Sequence, residues 1–380
     1  MVASPPRTRI AYAAMSTVRA SVIPAPGAAA EIREYGEPEL ERDSALLDVS
    51  LSEVCGTDVH LRAGRLAGVP YPLIPGHVSI GTLSKVRGDV HDVEGRPLRE
   101  GDRVTFLDVH RTCNACWYCL VAKATTRCPS RRVYGITYGA DDVLAGGWAE
   151  KVYLKPGTRI LPADGVDDDA FMAGGCSLPT ALHALERAAV RIGDAVLVLG
   201  SGPVGLSCII LARMAGALDV YCIGGPANRL EAARAVGATD VLDFESALPE
   251  ARAAWVRERT GGRGADVTIE ATGSPRAVVD ALRATRDAGR VVVVGQYTDH
   301  GEVPFNPHHD LNRKQLDVLG CWGSDFSHFH RAVRIAADSQ RSAPWRKLQL
   351  RRYSLADANS AIDDVAAGRV VKALIDPHLA

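Results

Sequence analysis

The apolar run Val196-Leu-Val-Leu199 passes directly into Gly200-Ser-Gly202-Pro203-Val204-Gly205 and then into an apolar helical stretch, Leu206–Ala215. Few local patterns restrict a fold as tightly. A bare GxGxxG is a weak signal, but one placed between a strand and a helix is strong, because each glycine then has its own steric task. Gly200 makes the tight turn, Gly202 lets backbone approach a pyrophosphate, and Gly205 lets helix pack on strand, while the helix N-terminus faces the negative charge. The neighbouring sequence continues the theme. Helical patterns over Ala181–Ala189, Leu230–Val236 and Pro275–Ala288 alternate with strand patterns at Ala195–Leu199, Asp219–Ile223, Ala265–Glu270, Arg290–Val294 and Leu316–Leu319. Alternation of this kind builds a parallel sheet covered on both faces.

The texture differs on either side. From Val18 to Leu161, short β-like runs such as Ser44–Leu51 and Arg103–Leu107 are separated by Gly and Pro, which reads as an irregular β domain. From Trp322 the chain returns to helix and short strand, ending in Val370–Ile375. The expected division is a disordered extension over 1–16, a β domain from 17–172 with 322–380, and a nucleotide-binding domain over 173–321.

Charge excludes some partners. With 44 basic and 45 acidic residues and no basic block, neither nucleic acid nor an anionic membrane surface is suggested, and a small molecule is the better fit. The most apolar stretch, Ala195–Ile223, is broken by the glycine turn and carries Arg213, so it cannot be an uninterrupted spanning helix. Nine cysteines, most in metal-like contexts, suit a reducing compartment and point to the cytoplasm.

Four of those cysteines, Cys113, Cys116, Cys119 and Cys128, crowd into one short stretch. Four thiolates suit one tetrahedral zinc and leave no open coordination position, so this lobe would hold structure and perform no chemistry. A second set is scattered: Cys55, His77 and Cys176. Two thiolates and one imidazole leave the fourth position of a zinc to water or substrate, as a catalytic site requires. Beyond the glycine turn, an acidic residue about 20 positions on normally holds the ribose of NAD. Here the next strand ends Gly224-Gly225-Pro226-Ala-Asn228-Arg229, without a carboxylate. Nothing there repels a 2′-phosphate and Arg229 offers a positive partner, so NAD and NADP both stay open with a slight lean to NADP.

Taken together, Cys55-Gly-Thr57-Asp58-Val-His60, Gly76-His77, the four-cysteine lobe, Gly147-Trp-Ala-Glu150, Cys176 and Gly200–Gly205 resemble the zinc-containing medium-chain dehydrogenase/reductase superfamily, the alcohol and polyol dehydrogenase group. The resemblance runs from about Val18 to the end. It implies an α/β protein in which a GroES-like irregular β catalytic domain adjoins a doubly wound parallel-sheet Rossmann domain. It further implies one catalytic and one structural zinc, NAD or NADP, a homodimer or homotetramer, and hydride transfer between a secondary or polyhydroxylated alcohol and the nicotinamide. By the same resemblance Cys55, His77 and Cys176 hold the catalytic zinc, Thr57 passes the substrate proton onward, His60 delivers it to solvent, and Asp58 backs the zinc-bound histidine. Thr180 lies beside the nicotinamide, Lys372 meets the pyrophosphate, and Trp148, Asp108 and His110 line the pocket.

Two departures are visible. Gly76-His77 is followed by Val78 where the family has glutamate, and the interval between Cys119 and Cys128 is one residue longer than usual. Val78 keeps a second reading open, a reductase of activated carbon–carbon double bonds. A third is a non-catalytic nucleotide-binding protein.

Overall fold

The computed structural model describes residues 17–379; the extension expected over 1–16 lies outside them. A seven-stranded sheet takes strands from both ends of the chain, in the order Leu350–Tyr353, Lys372–Ile375, Ser44–Val54, Ser79–Arg87, Arg103–Phe106 and Ile160–Pro162. Lys151–Leu154 completes it by pairing Ala45–Asp48, beside the place where Lys372–Ile375 pairs Ser52–Val54. The 11-residue strand Ser44–Val54 is therefore the spine of this sheet. Register shifts at Leu46/Leu47 and Val49/Leu51 bend it, as bulges do, and its far end delivers Glu53, Val54 and Cys55 into the interior.

The second sheet is six-stranded and wholly parallel, in the order Asp240–Asp243, Asp219–Gly224, Ala195–Leu199, Ala265–Glu270, Thr285–Val293 and Asp317–Gly320. Its strands are apolar on both faces because both faces are covered. Val196 and Val198 point toward Leu206, Ile209 and Ile210 of the helix Pro203–Met214. Leu197 and Leu199 point the other way, toward Val256, Ala281 and Leu282. Chain order reverses on either side of Ala195–Leu199, and the crevice at the carboxyl ends of such strands is where open α/β sheets bind ligands. That crevice faces the seven-stranded sheet.

The strands Ala195–Leu199 and Ala265–Glu270 fall where the alternation predicts them. The helix expected to run from Pro275 to Ala288 stops at Ala284, because Thr285 Oγ1 bonds both the Ala281 carbonyl and Thr268 Oγ1 at 2.7 Å and starts the next strand. Asp240–Asp243 and the helix Pro249–Arg259 were not among the expected elements. Their apolar patterns are thin, since only Val241 in the strand and Ala253 and Val256 in the helix are buried. No helix among the described residues is long and apolar enough to cross a membrane.

Candidate active site and metal centres

Among the described residues, two groups bring metal-ligating atoms within 4.8 Å of one another: Cys113, Cys116, Cys119 and Cys128, and Cys55, His77 and Cys176. All seven were expected from sequence. In the lobe, Cys116 and Cys119 sulfurs lie 3.5 Å apart and Cys128 and Cys113 sulfurs 3.6 Å apart, with no disulfide formed. Sulfurs about 2.3 Å from one tetrahedral zinc sit roughly 3.8 Å from each other, so the cage is close to the size the ion needs. Hydrogen bonds from the Ala115 backbone and from Cys116 lower the Cys113 thiol to about 6, which favours the thiolate that a metal requires. The lobe has little else to hold it. Its helix Trp117–Leu120 has four residues, and Trp117, Tyr118, Leu120 and Val121 are exposed.

The second group is assembled from three separate places. Cys55 caps the helix Gly56–Arg62, its sulfur accepting from Thr57 N at 3.3 Å while Asp58 Oδ2 accepts from Cys55 N at 2.8 Å. His77 follows Gly76, whose φ of +86° and contact with Trp148 exclude a side chain, since a Cβ there would lie 2.5 Å from the indole. Cys176 opens the helix Ser177–Ala188, and its backbone N donates to Glu53 Oε2 at 2.6 Å.

The electrostatics suit a dication. A hydrogen bond between the two thiols holds Cys55 well below its ordinary range and, with burial, Cys176 well above. Burial alone would lower His77, but the Cys55 thiolate, a hydrogen bond with it and then Asp58 push the imidazole up to about 10. Burial and the same thiolate push Asp58 upward. Three groups that gather negative charge around one point attract protons or a metal. His77 Nδ1 and Asp58 Oδ1 are buried without a hydrogen-bond partner, as expected where a further group belongs. Two sulfurs and one imidazole fit zinc with one position left over.

That position opens on a cavity of about 360 Å³ running from the metal ligands to the glycine turn. Thr57, His60 and Thr180 line it, as do Gly202, Pro203, Val204 and Arg229 from the nucleotide-binding domain. Gly200 and Gly205 lie behind the wall, where a Cβ on Gly205 would stand 1.9 Å from the Gly200 carbonyl oxygen. Thr180 Oγ1 bonds the Cys176 carbonyl at 2.8 Å. His60 is half-buried, held below its usual value first by burial and then by Arg65, and its Nδ1 has no partner. Gly224 abuts Ser201, so a Cβ there would lie 2.5 Å from Ser201 Oγ, which itself bonds Gly225 N at 3.0 Å. A carboxylate at this strand end is excluded by space as well as by sequence.

Three expectations are corrected. Lys372 does not reach the cofactor crevice: it is fully buried and ion-paired with Glu53, because its strand lies against Ser44–Val54 inside the sheet. Trp148 does not line the pocket, since it is fully buried with Nε1 donating to the Glu53 carbonyl at 2.9 Å. His110 turns away to Tyr138 and the Pro156 carbonyl, whereas Asp108 does reach the cavity. Sequence reasoning missed Glu53, Arg131, Tyr297 and Trp322. Tyr297 and Trp322 stack 5.8 Å apart, Arg131 lies over Trp322 at 5.8 Å with its Nε unpartnered, and all four residues line the cavity. Tyr297 and Trp322 carried a usable signal, since each follows closely on the carboxyl end of a predicted parallel strand, where ligands gather.

Known proteins resemble this chain in sequence and fold. The zinc-binding dehydrogenase family matches residues 203–338, and the alcohol dehydrogenase GroES-like domain matches residues 41–164. The chain is 34% identical to 5-exo-hydroxycamphor dehydrogenase from Pseudomonas putida over 88% of this chain and 92% of that one. It superposes with a TM-score of 0.90 on an alcohol dehydrogenase from Thermotoga maritima, 32% identical, over 96% of this chain and 100% of the other. A zinc-binding dehydrogenase from Sinorhizobium meliloti 1021, solved with NADP bound, gives 0.83 at 28% identity over 95% of this chain and 100% of that one. With both halves of the chain matched, and the Cys55–His77–Cys176 set and the glycine turn lining one cavity, the protein belongs to the zinc alcohol dehydrogenase-like group of the medium-chain dehydrogenase/reductase superfamily.

Proposed function

We propose that the protein oxidises a secondary or polyhydroxylated alcohol, or reduces the matching carbonyl, using a zinc held by Cys55, His77 and Cys176 and a nicotinamide dinucleotide, with NADP the better-fitting form. The observation that carries this reading is the single cavity joining the open side of the three-ligand set to the glycine turn. Bound zinc would supply a Lewis acid that brings an alcohol's pKa toward about 7, and the dinucleotide would supply the hydride acceptor. The chain's residues do the rest. Thr57 and His60 are one turn apart on the helix Gly56–Arg62 and share a face, and both border the cavity. Thr57 faces Tyr297, and His60, lowered by burial and so largely neutral at pH 7, has a buried, unpartnered Nδ1 that can take a proton while the half-exposed ring gives one up toward water. Val78, Ile136 and Phe329 give the substrate an apolar wall, and Asp108 and Arg131 offer partners for additional hydroxyl groups.

For the cofactor, Ser201 supplies a neutral hydroxyl floor at the strand end, and Arg229 lines the cavity with Nε unpartnered and its guanidinium partly desolvated, a cation short of an anion. Arg229→Ala is expected to lower kcat/KM for NADP by about 10-fold or more, as for loss of a charge-assisted hydrogen bond, with a smaller change for NAD. Steady-state kinetics with both cofactors checks this, and equal losses would remove the NADP preference. A panel of alcohols and ketones read by nicotinamide absorbance tests the reaction itself. Val78 favours a second reading, reduction of activated double bonds. Full activity on an enone after chelation, with no turnover of any alcohol, would establish it in place of the first.

The four-cysteine lobe is proposed to hold a structural zinc, and its exposed Trp117 and Val121 suit a homodimer or homotetramer. Cys116→Ala should lower the melting temperature or dissociate the assembly before it affects turnover, because the lobe's sulfurs do not enter the cavity. Calorimetry and sedimentation would decide, and an unchanged melting temperature and mass would remove the role. Nine unpaired thiols support a reducing compartment, the cytoplasm.

A further inference from the structure

We propose that the Glu53–Lys372 ion pair is a positioning element of the Cys55–His77–Cys176 centre, with Glu53 fixing Cys176 and Lys372 balancing the negative charge gathered behind it. The inference rests on the reading above that this set holds zinc. Glu53 and Lys372 come from opposite ends of the chain, 319 positions apart, and meet because their strands are neighbours, with Glu53 opposite Leu374. Both side chains are completely shut off from solvent, at 0% and 1% exposure.

Every hydrogen-bonding atom of Glu53 is committed to this region. Oε2 accepts from Cys176 N at 2.6 Å, Oε1 lies 3.2 Å from Cys176 Sγ and pairs with Lys372 Nζ, and the backbone carbonyl accepts from Trp148 Nε1 at 2.9 Å. Cys176 begins its helix without a side-chain cap; Thr180 holds its carbonyl, and Glu53 is what anchors its backbone N. The preceding residue is shaped for the pair. Gly175 has φ +46°, and a Cβ on it would lie 2.4 Å from Glu53 Oε2 and 2.7 Å from Lys372 Nζ.

Glu53 is not itself one of the ligands, since no oxygen of its carboxylate falls within the 4.8 Å group formed by Cys55, His77 and Cys176. It acts through Cys176. A buried ion pair is rarely the best way to fill a core, because apolar residues of similar volume do as well. What this pair touches is a metal ligand, and what it brings is one fixed carboxylate and one cation beside two thiolates and Asp58. The residue after His77 is the buried Val78, which carries neither charge nor donor, so the support for Cys176 comes from the strand preceding Cys55. Outer partners of this kind typically change metal affinity by about 10- to 100-fold.

The test uses the full-length zinc protein and reads the metal. Zinc per chain is counted, zinc release to a colorimetric chelator is timed, and the centre is loaded with cobalt so that its thiolate charge-transfer and d–d bands report ligand geometry. Glu53→Gln is expected to speed release of one zinc by about 10- to 100-fold and to shift the cobalt bands, while the lobe zinc leaves at its wild-type rate. If Glu53→Gln does not fold, the uncharged pair Glu53→Gln/Lys372→Met carries the same measurements without a stranded buried charge. Unchanged release and unchanged bands in a folded variant overturn the proposal, as does a double variant that also fails to fold, which would make the pair a packing requirement only. A zinc count that does not drop on Cys176→Ala would instead overturn the underlying metal reading, so the two failures are distinguishable.

Discussion

Replacing Cys176 or His77 with alanine is expected to reduce kcat/KM for alcohol oxidation by about a thousandfold or more while leaving nucleotide binding in place. Lewis-acid stabilisation by a bound metal contributes several kcal/mol, and each 1.36 kcal/mol is tenfold in rate. Either substitution removes one of the three proposed ligands, and no other group among the described residues lies in that cluster to replace it. The glycine turn stands at the far end of the cavity and keeps its strand and helix, so binding of NADPH, followed by fluorescence, should change little. Steady-state kinetics beside that titration makes the check. Retained turnover would count against a catalytic metal, and loss of binding would show that the substitution damaged the fold.

Lys372→Met should destabilise the zinc-loaded protein by about 3–5 kcal/mol, the usual cost of leaving one partner of a buried ion pair without the other. Glu53 would then hold a carboxylate at 0% exposure that has lost its ion-pair partner and keeps only Cys176 as a direct contact. Set against total stabilities of roughly 5–15 kcal/mol, this is a large loss. Glu53→Gln/Lys372→Met should recover much of it, because neither remaining group is charged. Urea unfolding of the two single variants, the double variant and the parent completes a mutant cycle, in which a coupling energy near zero would show that the two side chains do not depend on each other.

The proposed metal ligands are legible in the sequence because thiols and imidazoles are rare, and their chemistry narrows what a cluster can do. The glycine turn is legible because the steric demands on Gly200 and Gly205 are local to a strand and the helix after it. Thr57, Asp58 and His60 can be placed through their spacing from Cys55 on one short helix. Lys372 and Trp148 have other neighbours than their sequence context suggests, for one shared reason. Their residue types allow a cofactor contact or a core contact equally, and the pairing of Lys372–Ile375 with Ser44–Val54 and the close approach of Gly76 to Trp148 turn both inward.

The sequence by itself determined the parallel nucleotide-binding sheet, the two sets of side chains proposed as metal ligands and the absence of an acidic ribose partner, since each is written in residue type and short-range spacing. Only the tertiary structure decided what stands behind and around the metal. Glu53 with Lys372, Ser201 under Gly224, and Arg131 with Trp322 meet across long separations, where strand order and packing, which no local pattern encodes, bring them together.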